Sequence, residues 1–593
     1  MSDYIGYANF PTLDQVLNPS KPIEDIDWIA QRLTRSGTSW SAGLGQGATV
    51  SYSFATQGSA SFQGNVIVPF TADQMKSAEM ALQAWSDVAN IHFVRVGSGY
   101  SGDAAYSNAG QIRIVGYSSS PTGASGMSDM PGAGSVTTEV ATNMSATSDW
   151  IPDGFNAPNG YSTLLHELGH AIGLSHPDDY ATPFPQYDAA ATYYQDSTLF
   201  SVMSYMDGRL GVLTPWQKPM TPGIDDIAAA QRLYGANMTT RTGDTVYGFH
   251  SNADESYFRI EGDPSQSFVR FTVWDAGGND TFDFSCYAYN HVIDLREGHL
   301  SSVSHLAPGN NPEGYNVGIA YGTVIENAIG GSGGEMIYGN DANNHIQGNA
   351  GADFINGGAG QDTLDGGDDN DHIYGNGLAG VGAADGGDSI LGRAGHDYIN
   401  GNAGNDTISG GDGNDRIQGG QDNDLVNGDT GQDQINGNLG NDTVHGGDGN
   451  DLLQGGKGDD QVFGDAGNDT LMGNLGIDTL TGGAGADVFK FAFNDVVIVN
   501  GQADRITDFQ ADDRIALDFG VPTQVLHGSG TALASAATAA HDALLATGDG
   551  HSVDAVQIGA DTYLFFDARS DGHVEAVDLA GVSASTIDAH DFV

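Results

Sequence analysis

The sequence predicts an α+β domain followed by an all-β parallel β-roll or β-helix that a C-terminal β cap closes. Three observations carry this prediction. Helical and strand-like periods alternate over residues 21–240, glycine and aspartate return every nine residues over 330–490, and apolar strand-like pieces without the repeat fill 491–593. A chain of 593 residues is also too long for one hydrophobic core.

Residues 1–20 form an arm or short leader of mixed composition, and MSDYIGYANFPTLDQVL lacks the basic start and apolar run of a cleaved export signal. IEDIDWIAQRLT places Ile26, Ile29 and Leu33 at helical spacing. A second helix is expected in TADQMKSAEMALQAWSDVANIHF, capped by Thr71. TVSYSF, NVIVPF, IHFVRV and QIRIVGY read as strands around it. A third helix starts in GYSTLLHELGHAIGL and a fourth in GIDDIAAAQRLYG, where Gly235 is the stop signal. The character changes after Asn237, so a boundary is placed near 240, with 241–329 as the β-rich start of the C-terminal domain. In the last segment VFKFAF, DRITDF and TYLFFDA are the strand-like pieces expected to cap the stack.

Charge narrows the partners. Only 20 Lys and Arg face 76 Asp and Glu, a formal charge of -56, which argues against nucleic acid and anionic membrane and calls for cations. No uninterrupted apolar stretch reaches membrane-spanning length. The single cysteine, Cys286, excludes an internal disulfide framework and a cysteine-based zinc site, and reads as a small buried hydrophobe.

HELGHAIGLSH, from His166 to His176, concentrates chemistry. Side chains four apart share a helix face, so His166 and His170 can grip one ion while Glu167 projects beside them. Gly173 lets the backbone turn, which allows His176 to return as a third ligand. Neutral imidazoles suit zinc, and three protein ligands leave a position open for water or substrate. Zinc would then acidify a water and polarise a peptide carbonyl, with Glu167 as the base. The extended spacing is the signature of the metzincin peptidases.

The repeat has its own logic. Asp353, Asp362 and Asp371 are nine apart; the frame slips in NGLAGVGAADGGDS and resumes at Asp388. It then runs through Asp397, Asp406, Asp415, Asp424, Asp433, Asp442, Asp451, Asp460, Asp469, Asp478 and Asp487. Glycine turns expose carbonyls and aspartates supply carboxylates, both hard oxygen donors suited to calcium. Asp353 through Asp478 in this register are therefore the expected calcium ligands, with two units to a coil and Ile408, Ile417, Val426 and Ile435 stacked inside. Glu335 and Asn344 stand where earlier units would place the aspartate, and Asn349, Asn402 and Asn438 replace glycine at turn positions that asparagine tolerates. Without calcium the array of carboxylates is expected to be disordered.

HELGHAIGLSHP, the downstream SVMSY and the nine-residue repeats together resemble the serralysin family, secreted zinc endopeptidases of the repeats-in-toxin group. TRSGTSW, LQAWSDVANI, DDIAAAQRLYGAN and TRTGDTVYGF extend the likeness over most of the chain. The resemblance implies a metzincin-like zinc peptidase domain with His166, His170 and His176 on zinc, Glu167 as base, Met203 in the turn beneath the metal, and Tyr205 as a zinc-side tyrosine that hydrogen-bonds the transition state. It implies protein or peptide substrates bound in strand-like fashion, with segments around 115–160 and 178–200 as edge strand and rim. Type I export machinery reading the acidic and apolar ending Asp591, Phe592 and Val593, an extracellular or surface location, and a proteinaceous inhibitor are implied by the same likeness. The competing reading is a calcium-dependent, adhesin-like protein that binds a cell-surface layer and carries a subsidiary processing peptidase.

Overall fold

The computed structural model describes residues 20–57, 66–118, 126–131, 137–143, 159–180, 187–206, 218–263, 269–303, 315–376, 386–492, 502–547, 551–566 and 574–593. Residues 1–19 of the arm expected at 1–20 and much of the expected rim, including 144–158 and 181–186, lie outside them. The chain divides into two compact units, Met1–Gly333 and Gly334–Val593.

In the first unit, helix α1 (Ile26–Leu33) starts where the Asp25 carboxylate accepts the Trp28 N–H, and it buries Ile29, Ala30 and Leu33. Helix α2 (Ala72–Val88) starts at the expected Thr71, where Thr71 and Gln74 form a reciprocal capping box. Two backbone amides at that end are thereby satisfied before the apolar face begins. The sheet contains β1 (Ala48–Phe54), β2 (Ile67–Val68), β3 (Ile91–Arg95), β4 (Ile112–Tyr117), β5 (Gly126–Ser128) and β6 (Thr138–Asn143). Its order is β3-β1-β4-β6-β5, with β2 beside β4. All the pairings along that path are parallel except β5 on β6, so the antiparallel strand stands at the sheet edge. Helix α3 (Asn159–Ala171) carries the first two histidines of the motif, and α4 (Ile224–Tyr234) ends at Gly235 with φ +79°.

Beyond 240 the unit turns to short strands, with Val246–Gly248, Thr281–Asp283 and Asn327–Ile329 side by side and parallel. Cys286 corrects an expectation: it is exposed in the turn after Thr281–Asp283, because Phe282, Phe284 and Tyr287 take the interior positions of that stretch.

The second unit is a parallel β-roll. Successive strands alternate between two sheets, so Ile399 pairs with Ile417 on one face and Ile408 with Val426 on the other. Each strand sends one side chain inward, and Ile408, Ile417, Val426 and Ile435 are at most 1% exposed. The slip after Asp371 is absorbed without loss of register: pairing resumes with Leu364 beside Ile390, and the next aspartate lies 26 residues on instead of 18. Asn349, Asn402 and Asn438 sit at φ +77°, +74° and +74°, the left-handed turn conformation expected for them.

The C-terminal cap contains strands β7 (Gln524–Gly530), β8 (Ser552–Ile558), β9 (Asp561–Phe566) and β10 (Glu575–Leu579). β10 pairs in parallel with Asp504–Ile506, which continues the roll. A helix, α5 (Leu533–Thr547), lies in the cap and has no counterpart in the strand-based expectation. Its sequence LASAATAAHDALLAT is rich in alanine, the strongest helix former, and carries no strand alternation.

Candidate metal centre

Helix α3 sets His166 and His170 one turn apart, and two backbone carbonyls fix their rings. The Nδ1–H of His166 donates to the Val202 carbonyl and that of His170 to the Leu174 carbonyl, each at 2.7 Å. This leaves Nε2 unprotonated on both rings. Gly173, at φ +111°, lets the chain reverse; a Cβ there would fall 2.2 Å from the Thr38 carbonyl oxygen. His176 returns with its Nε2 at 3.0 Å from that of His170 and 3.3 Å from that of His166.

Burial holds all three imidazoles neutral, with His166 well below its ordinary pKa, His170 lowered, and His176 down to about 3. Convergent lone pairs at this spacing repel unless a cation lies between them. Four-coordinate zinc with Zn–N of about 2.0–2.1 Å separates its nitrogen ligands by roughly 3.3 Å, so the donor set fits. The three histidines are the one such cluster of His, Cys, Asp or Glu among the described residues.

Glu167 lies beside them, 6% exposed, and burial pushes its carboxyl up to about 8. The edge strand β5 passes close to it, since a Cβ on Gly126 would meet Glu167 Oε1 at 2.6 Å. The Tyr205 ring is stacked 5.4 Å from His166 and lies 4.4 Å from His176. Its hydroxyl is raised to about 12 by burial and then by Glu167. Met203 is fully buried against α3, under Gly169 and Trp85.

Sequence reasoning missed the groups that hold these in place. Asp226, in the first turn of α4, accepts from Ser201 Oγ and the Val202 N–H at 2.6 Å and from the Gly223 N–H at 2.8 Å. It thereby fixes Val202, the residue whose carbonyl orients His166. The acidic pair in GIDD, at a helix start opposite a buried turn, was the available signal. From α1, Arg32 Nε donates to the Pro177 carbonyl at 2.9 Å, and just past its end Arg35 donates to the His176 carbonyl, tying down the loop that brings the third histidine. Tyr180 stands 5.5 Å from the Tyr205 ring and donates its hydroxyl to Asp196 at 2.6 Å.

The aspartates of the roll form two ladders. In one, the N–H of Asp353 donates to Asp371 Oδ1, and the series continues through Asp397, Asp415, Asp433, Asp451, Asp469 and Asp487. In the other, Asp362 donates to Asp388, followed by Asp406, Asp424, Asp442, Asp460 and Asp478. Glu335 and Asn344 begin these ladders by donating to Asp353 and Asp362. Asp504 and Asp513, outside the strict repeat, extend them by accepting from Asp478 and Asp487.

Among the described residues the remaining oxygen, Oδ2, has no hydrogen-bond partner at Asp353, Asp371, Asp397, Asp415, Asp433, Asp451 or Asp469. Each faces a space left by a glycine: a Cβ on Gly348 would meet Asp353 Oδ2 at 2.2 Å and the Gly366 carbonyl oxygen at 2.5 Å. Burial raises these carboxyls, to about 9 at Asp353 and Asp371 and about 7 at Asp433. Orphaned oxygens from carboxylate and carbonyl suit a hard cation. A related group in the first unit was also missed: Asp275 and Asp280 are buried, Asp280 is raised to about 7 by burial, and its N–H donates to Glu326 at 2.7 Å. The GGND that ends at Asp280, outside the periodic stretch, was its signal.

The family model "Peptidase M10 serralysin C terminal" matches residues 236–525. "Serralysin C" of Dickeya chrysanthemi is 39% identical over 323 residues, which cover 54% of this chain and 64% of that protein. "Metalloprotease AprA" of Pseudomonas entomophila (strain L48) is 40% identical over 339 residues, 55% of this chain and 66% of that protein. "Metallopeptidase AprA" of Pseudomonas marginalis is 39% identical over 342 residues, 55% of this chain and 67% of its own. The match thus spans less than two thirds of Serralysin C and reaches that share in the last relative. Identity of 39% to a relative of which 67% is covered, together with the match of the family model to residues 236–525, makes the chain a member of the serralysin family of metalloproteases.

Proposed function

We propose that this chain is a zinc-dependent endopeptidase that hydrolyses peptide bonds of extracellular or surface proteins. The observation that carries the reading is the meeting of three neutral imidazole nitrogens beside a buried carboxyl, next to the strand that ends its sheet among the described residues. Bound there, zinc supplies Lewis acidity toward a peptide carbonyl and toward water.

His166, His170 and His176 hold the metal, and the two carbonyl contacts keep the first two rings aimed at it. Glu167 accepts a proton from the attacking water at its carboxylate and delivers it to the leaving nitrogen. Tyr205, at the open side of the site, joins the metal ligands or donates its hydroxyl to the developing oxyanion. β5 offers its free edge to an extended substrate backbone, which favours recognition of main chain over side chain.

Calcium is the proposed occupant of the roll, held by Asp353, Asp362, Asp371, Asp388, Asp397, Asp406, Asp415, Asp424, Asp433, Asp442, Asp451, Asp460, Asp469 and Asp478 with turn carbonyls. The same chemistry extends to Asp275 and Asp280. Their demand for cations supports a working location outside the cell, reached by type I export. In this reading 21–240 is the peptidase domain, 241–329 the β-rich start of the C-terminal domain, 330–490 the calcium roll and 491–593 the cap and export region. No helix among the described residues is long and apolar enough to cross a membrane.

The test is Glu167→Gln with metal content measured in parallel. Retained zinc with casein cleavage reduced about 100-fold or more supports the assignment. Unchanged turnover at full zinc occupancy overturns it.

A further inference from the structure

The cap contains a cavity that neither metal chemistry nor the roll uses. β7 is the outer strand of its sheet and runs parallel to β8, with Leu526 beside Asp554 and Gly528 beside Val556. Helix α5 covers this face, packing Ala536, Ala540 and Leu544 against Val556 and Phe565. Side chains alternate along a strand, so Leu526, Gly528 and Gly530 all point toward α5. Two of these three positions are glycines, and the space they leave is a cavity of about 310 Å³ lined by Gly528, Gly530, Thr531, Ser535, Ala539 and Asp554.

Asp554 is the unusual member. It is 5% exposed, beside a cluster whose buried members are alanine, leucine, valine and phenylalanine. Its oxygens lie next to the open face of Gly528, 3.5 and 3.7 Å from where a Cβ would stand. Among the described residues its carboxylate makes neither a hydrogen bond nor an ion pair; His527, on the opposite side of β7, engages the Ala584 carbonyl through its Nδ1 at 2.9 Å. The carboxylate opens onto the cavity from an otherwise apolar interface, and a cation that enters there would meet its charge.

The walls define the cation. Thr531 and Ser535, whose hydroxyl donates to the Ala532 carbonyl at 2.8 Å, line the cavity with Asp554, and Ala536, Ala539 and Val556 form an apolar side. We infer that this cavity binds a primary ammonium on a short aliphatic stem, presented either by a free alkylamine or by a lysine side chain. Its volume sits at the lower end of small-ligand pockets, which suits a stem of a few carbons.

The calcium-loaded full chain would be titrated with n-butylammonium, with Nα-acetyl-lysine N-methylamide, and with n-butanol as the neutral analogue, followed by calorimetry. Saturable binding of n-butylammonium, weaker by about 10-fold or more in Asp554→Asn, is expected, because one charge-assisted hydrogen bond is worth about that factor. Ala539→Phe, at an exposed helix position, plugs the cavity without entering the core and should weaken binding similarly. If the lysine derivative binds with the same dependence on Asp554, the cavity takes lysine side chains; binding of n-butylammonium alone restricts it to free amines. Equal affinity for n-butanol, unchanged binding in Asp554→Asn, or no binding of either ammonium overturns the inference.

Discussion

Gly169 and Met203 meet beneath the metal centre, so closely that a Cβ on the glycine would stand 2.5 Å from the Met203 sulfur and 3.1 Å from the Trp85 ring. Gly169 sits in the last turn of α3, where alanine would ordinarily favour the helix by up to about 1 kcal/mol. Overpacking a rigid floor costs about 1–3 kcal/mol, and here the sulfur is mid-chain rather than a free end. Gly169→Ala should therefore lower the urea midpoint despite its better helix propensity and should speed zinc loss to a chelator. A raised midpoint would show that Met203 moves aside freely.

Asp226 orients the metal centre from one residue further out. Asp226→Ala strands three buried donors, on Ser201, Val202 and Gly223, and should cost about 3 kcal/mol or more in a denaturant titration. Loosening Val202 frees the His166 ring, so zinc affinity should fall about 10-fold or more in competition with a chelator. Loss of stability with unchanged zinc affinity would confine Asp226 to a structural role.

The roll should respond to pH with opposite sign in the presence and absence of calcium. Burial lifts Asp353 and Asp371 to about 9 and Asp460 to about 8, above the usual value near 3.9 of an unfolded chain. Folded-state values above unfolded ones mean that the cation-free roll is most stable below about pH 3.9 and loses that stability as pH rises toward 8–9. With calcium, deprotonation creates the ligands, and rising pH strengthens the roll. Circular dichroism across pH, with chelator and with calcium, separates the two; strand signal at neutral pH in chelator equal to that in calcium would contradict the coupling.

Two neighbouring positions in the roll make a controlled pair. Asp433 is buried and accepts the Asp415 N–H at 2.8 Å, whereas Asn441, exposed in a turn, accepts the Asp459 N–H at 2.9 Å. Asp433→Ala strands a buried N–H and removes an oxygen from the cradle, so half-maximal folding should need several-fold more calcium. Asn441→Ala removes a solvent-exposed bond and should shift stability by about 0.5 kcal/mol. Equal calcium midpoints for the two variants would remove the aspartates from the ion sites.

Much of this was legible because the signals are local. A helix brings His166 and His170 together by period alone, and a nine-residue repeat fixes which side chain each strand buries. Gly173 and His176 followed from the same stretch, since a glycine in left-handed conformation acts on its immediate neighbours. The roles of Asp226, Arg32 and Arg35 were not read from the sequence, because they reach the site from segments distant in the chain and nothing in their local pattern names the partner they hold. Asp504 and Asp513 were hidden by insertions: space continues the ladder where the sequence interval changes to 26 residues. Helix α5 was missed because its alanines pack on strands without an amphipathic period strong enough to announce a face.

Alternation of strands between two faces makes the roll modular, with a parity rule. Excising 18 residues, such as 408–425, would remove one full turn and leave Val426 continuing from Thr407, in the place Ile408 held. Excising nine would send every later strand to the opposite wall, and the segment Asp504–Ile506 would present β10 and its helix on the wrong side. Lengthening or shortening by whole turns is thus a change of size alone, whereas half a turn reassigns the entire downstream end.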